Sequence, residues 1–261
     1  MSHPATRFET LEVSSESGVL TVAIDRVPQQ NAINGTLLAE LHTVLDEAER
    51  LPGCRQVVIR GASGVFCTGM DFSDAAGSPQ SVAERGGAEF LGLLKRLTTV
   101  PVVVVSVVDG RATGGGVGIA AASDFVVATP RAVFSLPEAL WGLLPCCVLP
   151  FLIRRVGFQP AYSMSLSTLP LTAEQAYRIH LADELAAEPE LFLRRLRQRV
   201  SKLDGATIAA MKRYQRDLWF LSAETERAAT DEFTRLMSTP EVRERISGFV
   251  TAQVFPWENQ R

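Results

Sequence analysis

Histidine is scarce in this 261-residue chain, with three in all: His3 near the start, His42 within a predicted helix and His180 near the end of another. So dispersed a set supports neither a serine triad nor a histidine-rich metal site. Cysteine is scarce as well, with four residues. Cys54, Cys67, Cys146 and Cys147 lack the CxxC and Cys/His spacings of zinc ligands, and four thiols in so long a chain make no disulfide scaffold, so no metal is expected. The adjacent Cys146 and Cys147 read as small core residues, with redox chemistry as the rival. No GxxxxGK[ST] occurs, which removes P-loop phosphoryl transfer. The longest apolar run, Val100 to Val108, contains Pro101 and Ser106 and falls far short of the roughly 20 residues that span a bilayer, so it reads as a buried strand and no membrane partner is expected. Basic residues are not in excess: 26 Lys and Arg against 29 Asp and Glu leave a net charge of −3, which denies nucleic acid its basic footprint. Residues 1–20 hold no basic segment followed by an apolar one, the pattern of a secretory signal, and the cytoplasm is the expected compartment.

What is present is an ordinary globular composition, 46% hydrophobic and 21% charged, at the upper edge of what one core supports. Up to about residue 135, short β-branched runs alternate with helical periodicity. Glu9–Val13, Val19–Ile24, Gln56–Arg60, Val102–Val108 and Phe125–Ala128 are predicted strands; Thr36–Leu51 and Ala88–Leu97 are predicted helices. The runs Val57-Val58-Ile59 and Val102–Val105 are apolar throughout, which predicts strands covered on both faces. After Pro137 the sequence turns almost wholly helical, and Glu190–Leu203 carries a leucine stripe opposite Arg194, Arg195, Arg197 and Arg199. Residues Gly77 to Gly87 are small and polar and read as a mobile loop able to act as a lid.

Two turns carry candidate chemistry. Gly114-Gly115-Gly116 opens a short apolar helix, Val117–Ala122. A helix N-terminus presents unpaired N–H groups that stabilise negative charge, and glycine lets a ligand approach the backbone. The turn Phe66-Cys67-Thr68-Gly69-Met70-Asp71 offers a second donor. By composition alone, each turn reads first as structural. Gly116-Val117-Gly118-Ile119-Ala120-Ala121 also fits a relaxed dinucleotide fingerprint, but too few residues follow for a crossover helix, so no dinucleotide is expected.

The stretches VFCTGMDF, GRATGGGVGIAAASDFVVAT and FSLPEALWGLLP, with the earlier RVPQQNAIN, resemble in order and spacing the crotonase, or enoyl-CoA hydratase/isomerase, superfamily. The resemblance implies an α/β crotonase fold: a spiral of repeated ββα units over residues 1–195, with a C-terminal helical region, 196–261, that forms homotrimers or, as paired trimers, hexamers. It implies thioester substrates on a phosphopantetheine arm and no further cofactor. Carried over by position, the oxyanion amides belong to Met70 and Gly115 and the acid/base carboxylate is Glu138. Gly114, Arg111 and Trp141 are expected at the substrate, Arg111 as the cation for a distal carboxylate. One departure stands out: the typical hydratase has a second glutamate where this chain has Gly118, and Asp74, Glu84 and Glu89 are the candidates to replace it.

Leu144–Gly157 and the closing Phe255-Pro256-Trp257-Glu258 are similar to a narrower group, the dehydratases of polyketide β-branching cassettes. That similarity implies dehydration of 3-hydroxy-3-methylglutaryl on acyl carrier protein to 3-methylglutaconyl, with an acidic carrier docking on Arg154, Arg155 and the Arg194–Arg199 face. The alternatives are a hydratase or isomerase acting on a CoA thioester and a non-catalytic crotonase-like protein. For Glu138 to act near neutrality, its apolar neighbours Leu136, Leu140, Trp141 and Leu143 must raise its pKa.

Overall fold

A computed structural model describes residues 7–219 and 221–258; His3 lies outside them. The strands are β1 Leu11–Glu16, β2 Val19–Ile24, β3 Gln56–Gly61, β4 Val65–Cys67, β5 Val103–Val108, β6 Arg111–Thr113, β7 Phe125–Ala128, β8 Val133–Ser135, β9 Leu171–Thr172 and β10 Glu184–Leu185. The helices are α1 Gly35–Arg50, α2 Phe72–Gly77, α3 Pro79–Ser81, α4 Gly87–Leu97, α5 Gly115–Ala122, α6 Leu149–Val156, α7 Phe158–Ser167, α8 Ala173–Arg178, α9 Pro189–Val200, α10 Gly205–Asp217, α11 Ala223–Met237 and α12 Pro240–Ala252.

The strands form two sheets. One runs β1-β2-β3-β5-β7-β10, antiparallel only at β1–β2; the other runs β4-β6-β8-β9, antiparallel only at β8–β9. Successive strands therefore alternate between sheets, β3 then β4, β5 then β6, β7 then β8, and the chain winds as a spiral of ββα turns. Every residue of β5 is buried, as its unbroken apolar run requires for a strand covered on both faces. The helix α1 starts where Asn34 accepts a hydrogen bond from Leu37 N–H at 2.9 Å, and Leu37, Leu38, Leu41, Val44, Leu45 and Ala48 turn one stripe to the core.

Two expectations need correction. Residues 77–87 are not a loop: α3, a π-helical turn at Val82–Gly86 and α4 carry helix through them, with Ala83 and Gly87 buried. Small residues there permit close packing, and a Cβ on Gly87 would stand 2.7 Å from Phe233 Cδ1. Residues Arg111–Thr113 form a strand too short for an apolar pattern to show. Residue 195 lies inside α9, and Leu193, Val200 and the α10 residue Ile208 share one cluster with Val58, Val103 and Val105, so the first C-terminal helices are continuous with the core.

Candidate active site

The site begins with two glycines in the left-handed region, Gly69 at φ 85° and Gly114 at φ 54°, backbone that side chains other than glycine rarely adopt. Each turns the chain immediately before a candidate donor, Met70 or Gly115. The two turns touch: a Cβ on Gly69 would stand 3.2 Å from Gly115 N and 2.9 Å from Thr113 O. Ile33 bridges to the first turn, its N–H donating to Gly69 O at 2.7 Å and its C=O accepting from Asp71 N–H at 2.9 Å. In a parallel bridge that geometry turns Met70's own N–H to the other side. Gly115 N–H is a first-turn amide with no intrahelical partner. Among the described residues neither N–H has a protein acceptor.

The Met70 segment is anchored from below. Asp71 caps α2 through Ser73 and Asp74 N–H and forms an ion pair at 2.9 Å with Arg26, both side chains being nearly buried. Arg26 also donates to Ala32 O, and Asn31 donates to Ala62 O and Val65 O. The RVPQQNAIN segment thus acts through packing, holding the turn that carries Met70; its positioning residues Arg26 and Asp71 escaped the sequence reading because they are 45 residues apart.

Glu138 opens a short 3-10 helix, Glu138–Trp141, beyond Pro137. A Cβ on Gly114 would stand 3.1 Å from its Oε1, so the carboxyl lies against the glycine turn. Its Oε2 is shut off from solvent and has no hydrogen-bond partner among the described residues. Burial raises its pKa to about 7, so the group exchanges protons near neutrality. Leu136, Trp141 and Leu143 are buried around it, while Leu140 is exposed.

No second carboxylate comes from the three candidates. Asp74, Glu84 and Glu89 are all exposed. At Gly118 the space is filled with hydrocarbon: a Cβ there would stand 3.0 Å from Val148 Cγ2, 3.1 Å from Phe90 Cζ and 3.3 Å from Leu94 Cδ1. Phe90 is a site residue that the sequence did not reveal, because it lies on α4, outside every motif.

Trp141 is buried in an aromatic cluster, its ring centroid 4.5 Å from Phe72, 5.3 Å from Phe249 and 5.3 Å from Trp257. The closing Phe255-Pro256-Trp257 segment and α12 therefore cover the Glu138 helix of their own chain, and Met70 packs against the same cluster. Arg111 is exposed and donates to Gln30 Oε1 at 2.6 Å. Arg155 is occupied by Asp183, Ala121 O and Ser123 O, which removes it as a free docking charge. It lines, with Arg154, Lys212 and Trp219, a cleft of about 1140 Å³, which contains none of Met70, Gly115 or Glu138. His42 sits beside Arg96, its pKa lowered by burial and then by that guanidinium, and His180 lines the distant cleft, so neither joins the site. Burial raises the thiols of Cys146 and Cys147 to about 11 and about 12, which disfavours the thiolates that redox chemistry needs. Among the described residues no cluster of metal-ligating side chains occurs, and no helix is long and apolar enough to cross a membrane.

The spiral of ββα turns is the crotonase fold, and it brings two unpaired backbone amides and one desolvated carboxyl to the same pair of turns. Residues 14–260 match the enoyl-CoA hydratase/isomerase family, and the chain belongs to it. It is an enzyme of the hydro-lyase kind. It is similar to the bacillaene synthase dehydratase PksH of Bacillus subtilis (strain 168), 33% identical over 97% of this chain and 98% of that one. It also resembles the carnitinyl-CoA dehydratase of Proteus mirabilis, 29% identical over 83% of this chain and 84% of the relative. The crystal structure of a polyketide biosynthesis enoyl-CoA hydratase from Bacillus subtilis superimposes with a TM-score of 0.87 at 32% identity, over 96% of this chain and all of that one.

Proposed function

We propose that this enzyme removes water from 3-hydroxy-3-methylglutaryl carried as a thioester on acyl carrier protein, giving the 3-methylglutaconyl thioester in polyketide β-branching. The observation that carries the proposal is the single buried carboxyl of Glu138 beside the Gly114 turn, with hydrocarbon at Gly118 where a second acid would stand. The thioester oxygen takes hydrogen bonds from the Met70 and Gly115 N–H groups, which stabilise negative charge as it develops. Glu138 takes the C2 proton as the C2–H bond breaks and an enolate forms. The electron pair then makes the C2–C3 double bond, the C3–O bond breaks, and Glu138 returns its proton to the departing hydroxide. One carboxyl thus serves as base and then as acid, which a pKa near 7 permits.

Similarity to a dehydratase of a polyketide synthase supports the pathway. The non-catalytic alternative is disfavoured because an unpartnered buried carboxyl costs stability and contributes no structural bond. Arg111, with no carboxylate partner among the described residues, is the candidate cation for the distal carboxylate. No cofactor beyond the phosphopantetheine of the substrate is required. Assembly as a homotrimer belongs to the same proposal. It is supported by exposed apolar stripes at i, i+3, i+7 along α10 and its C-cap (Met211, Tyr214, Leu218) and at i, i+4, i+8 on α7 (Phe158, Tyr162, Leu166). Mass spectrometry of the acylated carrier protein after incubation with enzyme should show loss of one water. Turnover of the same acyl group on CoA but not on the carrier would replace the proposal with the CoA-level hydratase or isomerase reading.

A further inference from the structure

We propose that Phe90 is a specificity-determining residue, whose ring forms the apolar wall that accepts the methyl branch on C3 of the acyl group. This inference rests on the dehydratase reading above. On α5, residues 115 and 118 share a face, being three apart. Phe90 Cζ reaches both, 3.2 Å from a Cβ on Gly115 and 3.1 Å from one on Gly118. Leu94, one helical turn further along α4, continues the wall, and Val148 closes it from the other side. The ring therefore lies directly beside the Gly115 amide.

Its position is held from behind. α4 is packed against α11 through Gly87 and Phe233, and Cys147 Sγ meets Gly87 O at 3.5 Å. With the thioester oxygen on the two amides and C2 facing Glu138 at Gly114, the substituents of C3 are directed at the Phe90 ring where it borders Gly115. A methyl group gains contact there, whereas a polar substituent finds no partner. The glycine at 118 has the complementary role: any Cβ presses on the ring, so the wall and the bare helix face require each other.

Two thioesters on the same carrier protein test this, 3-hydroxy-3-methylglutaryl and 3-hydroxyglutaryl, which lacks the methyl. The wild type should prefer the branched acyl group, and Phe90→Ala should reduce the ratio of the two kcat/KM values at least tenfold, since one methyl in an apolar pocket is worth about 10- to 200-fold. Phe90→Leu should keep the ratio within about threefold of the wild type on the same scale. Gly118→Ala, which displaces the ring without removing it, should reduce the ratio too, and it carries the test if Phe90→Ala does not fold. An unchanged ratio in Phe90→Ala, or in Gly118→Ala where that variant stands in for it, overturns the assignment. Should the wild type dehydrate neither thioester, the dehydratase reading falls. The wall is then judged by binding of 3-methylbutanoyl- and butanoyl-pantetheine, and an affinity ratio unaltered by Phe90→Ala overturns it separately.

Discussion

The floor and the roof of the site are built by different means. The floor, Gly69–Asp71 with Gly114–Gly118, presents main chain: positive-φ glycines, two amides without acceptors among the described residues and an ion pair beneath them. The roof, α2 with α12 and residues 255–257, is aromatic, with Phe72, Trp141, Phe249, Phe255 and Trp257 meeting mostly edge to face. Backbone donors cannot be repacked by side-chain motion and are suited to stabilising a charge that appears only in the transition state. An aromatic roof excludes water and sets dielectric without touching the charge. Changes in the floor should therefore fall on kcat, and changes in the roof on KM.

The largest effect is expected where floor and roof meet, at Glu138. Glu138→Gln keeps the shape and removes the base, so kcat should fall by about 10²- to 10⁴-fold or more in a single-turnover dehydration assay, with circular dichroism unchanged. A variant retaining full activity would end the assignment. The wild type should show kcat/KM rising with pH to a midpoint of about 7, the value to which burial raises Glu138. The stability sign follows. A carboxyl whose folded pKa is raised stays neutral in the native state while the unfolded chain ionises. Its favourable contribution is thus full below the unfolded value and is lost as pH climbs through about 7. Denaturant melts should then find Glu138→Gln more stable than the wild type above that pH, by at most about 3 kcal/mol, and equal to it in acid.

Next in size is the anchor of the floor. Arg26→Ala leaves Asp71 buried without its cation, and urea unfolding should register a loss of about 3–5 kcal/mol. In the surviving folded protein, kcat should fall more than KM rises, because the Met70 amide loses its support. Roof variants come after. Trp257→Ala removes a half-buried ring from the cluster and should cost about 1–3 kcal/mol in thermal melts. It should raise KM several-fold with little change in kcat, and a loss confined to kcat would erase the distinction between the two regions. The smallest effect belongs to the exposed Arg194 and Arg199 on α9, a helix whose Leu193 and Val200 cluster with Val58, Val103 and Val105. Their reversal to glutamate should raise KM for carrier-bound substrate by no more than about tenfold, in a manner that added salt abolishes.

Much of the floor was legible because it is local. Gly114-Gly115-Gly116 announces a helix start and Pro137-Glu138 opens a helical turn, each signal lying within a few residues. β2 and β7 have the predicted bounds: β2 alternates half-buried and buried residues along its length, and β7 is an unbroken apolar run buried from Val126 to Ala128. β1 lies two to three residues later than its pattern suggested, beginning at Leu11 rather than Glu9. The strands β6, β8, β9 and β10, two or three residues each, left no periodicity to detect. The stretch 77–87 misled because small polar residues favour loops on their own and are helical here only through packing on α11.

The sequence by itself determined the alternation of strand and helix up to about residue 135, the two glycine turns and the placing of Glu138 in an apolar run, since these depend on backbone sterics and on residues adjacent in the chain. Only the tertiary structure decided that Phe90 fills the space over Gly118, that Arg26 supports Met70 through Asp71, and that the closing Phe255-Pro256-Trp257 covers Trp141. Those features are contacts between distant segments, and the desolvation that raises Glu138 to about 7 comes from atoms that the fold, not the local sequence, brings around it.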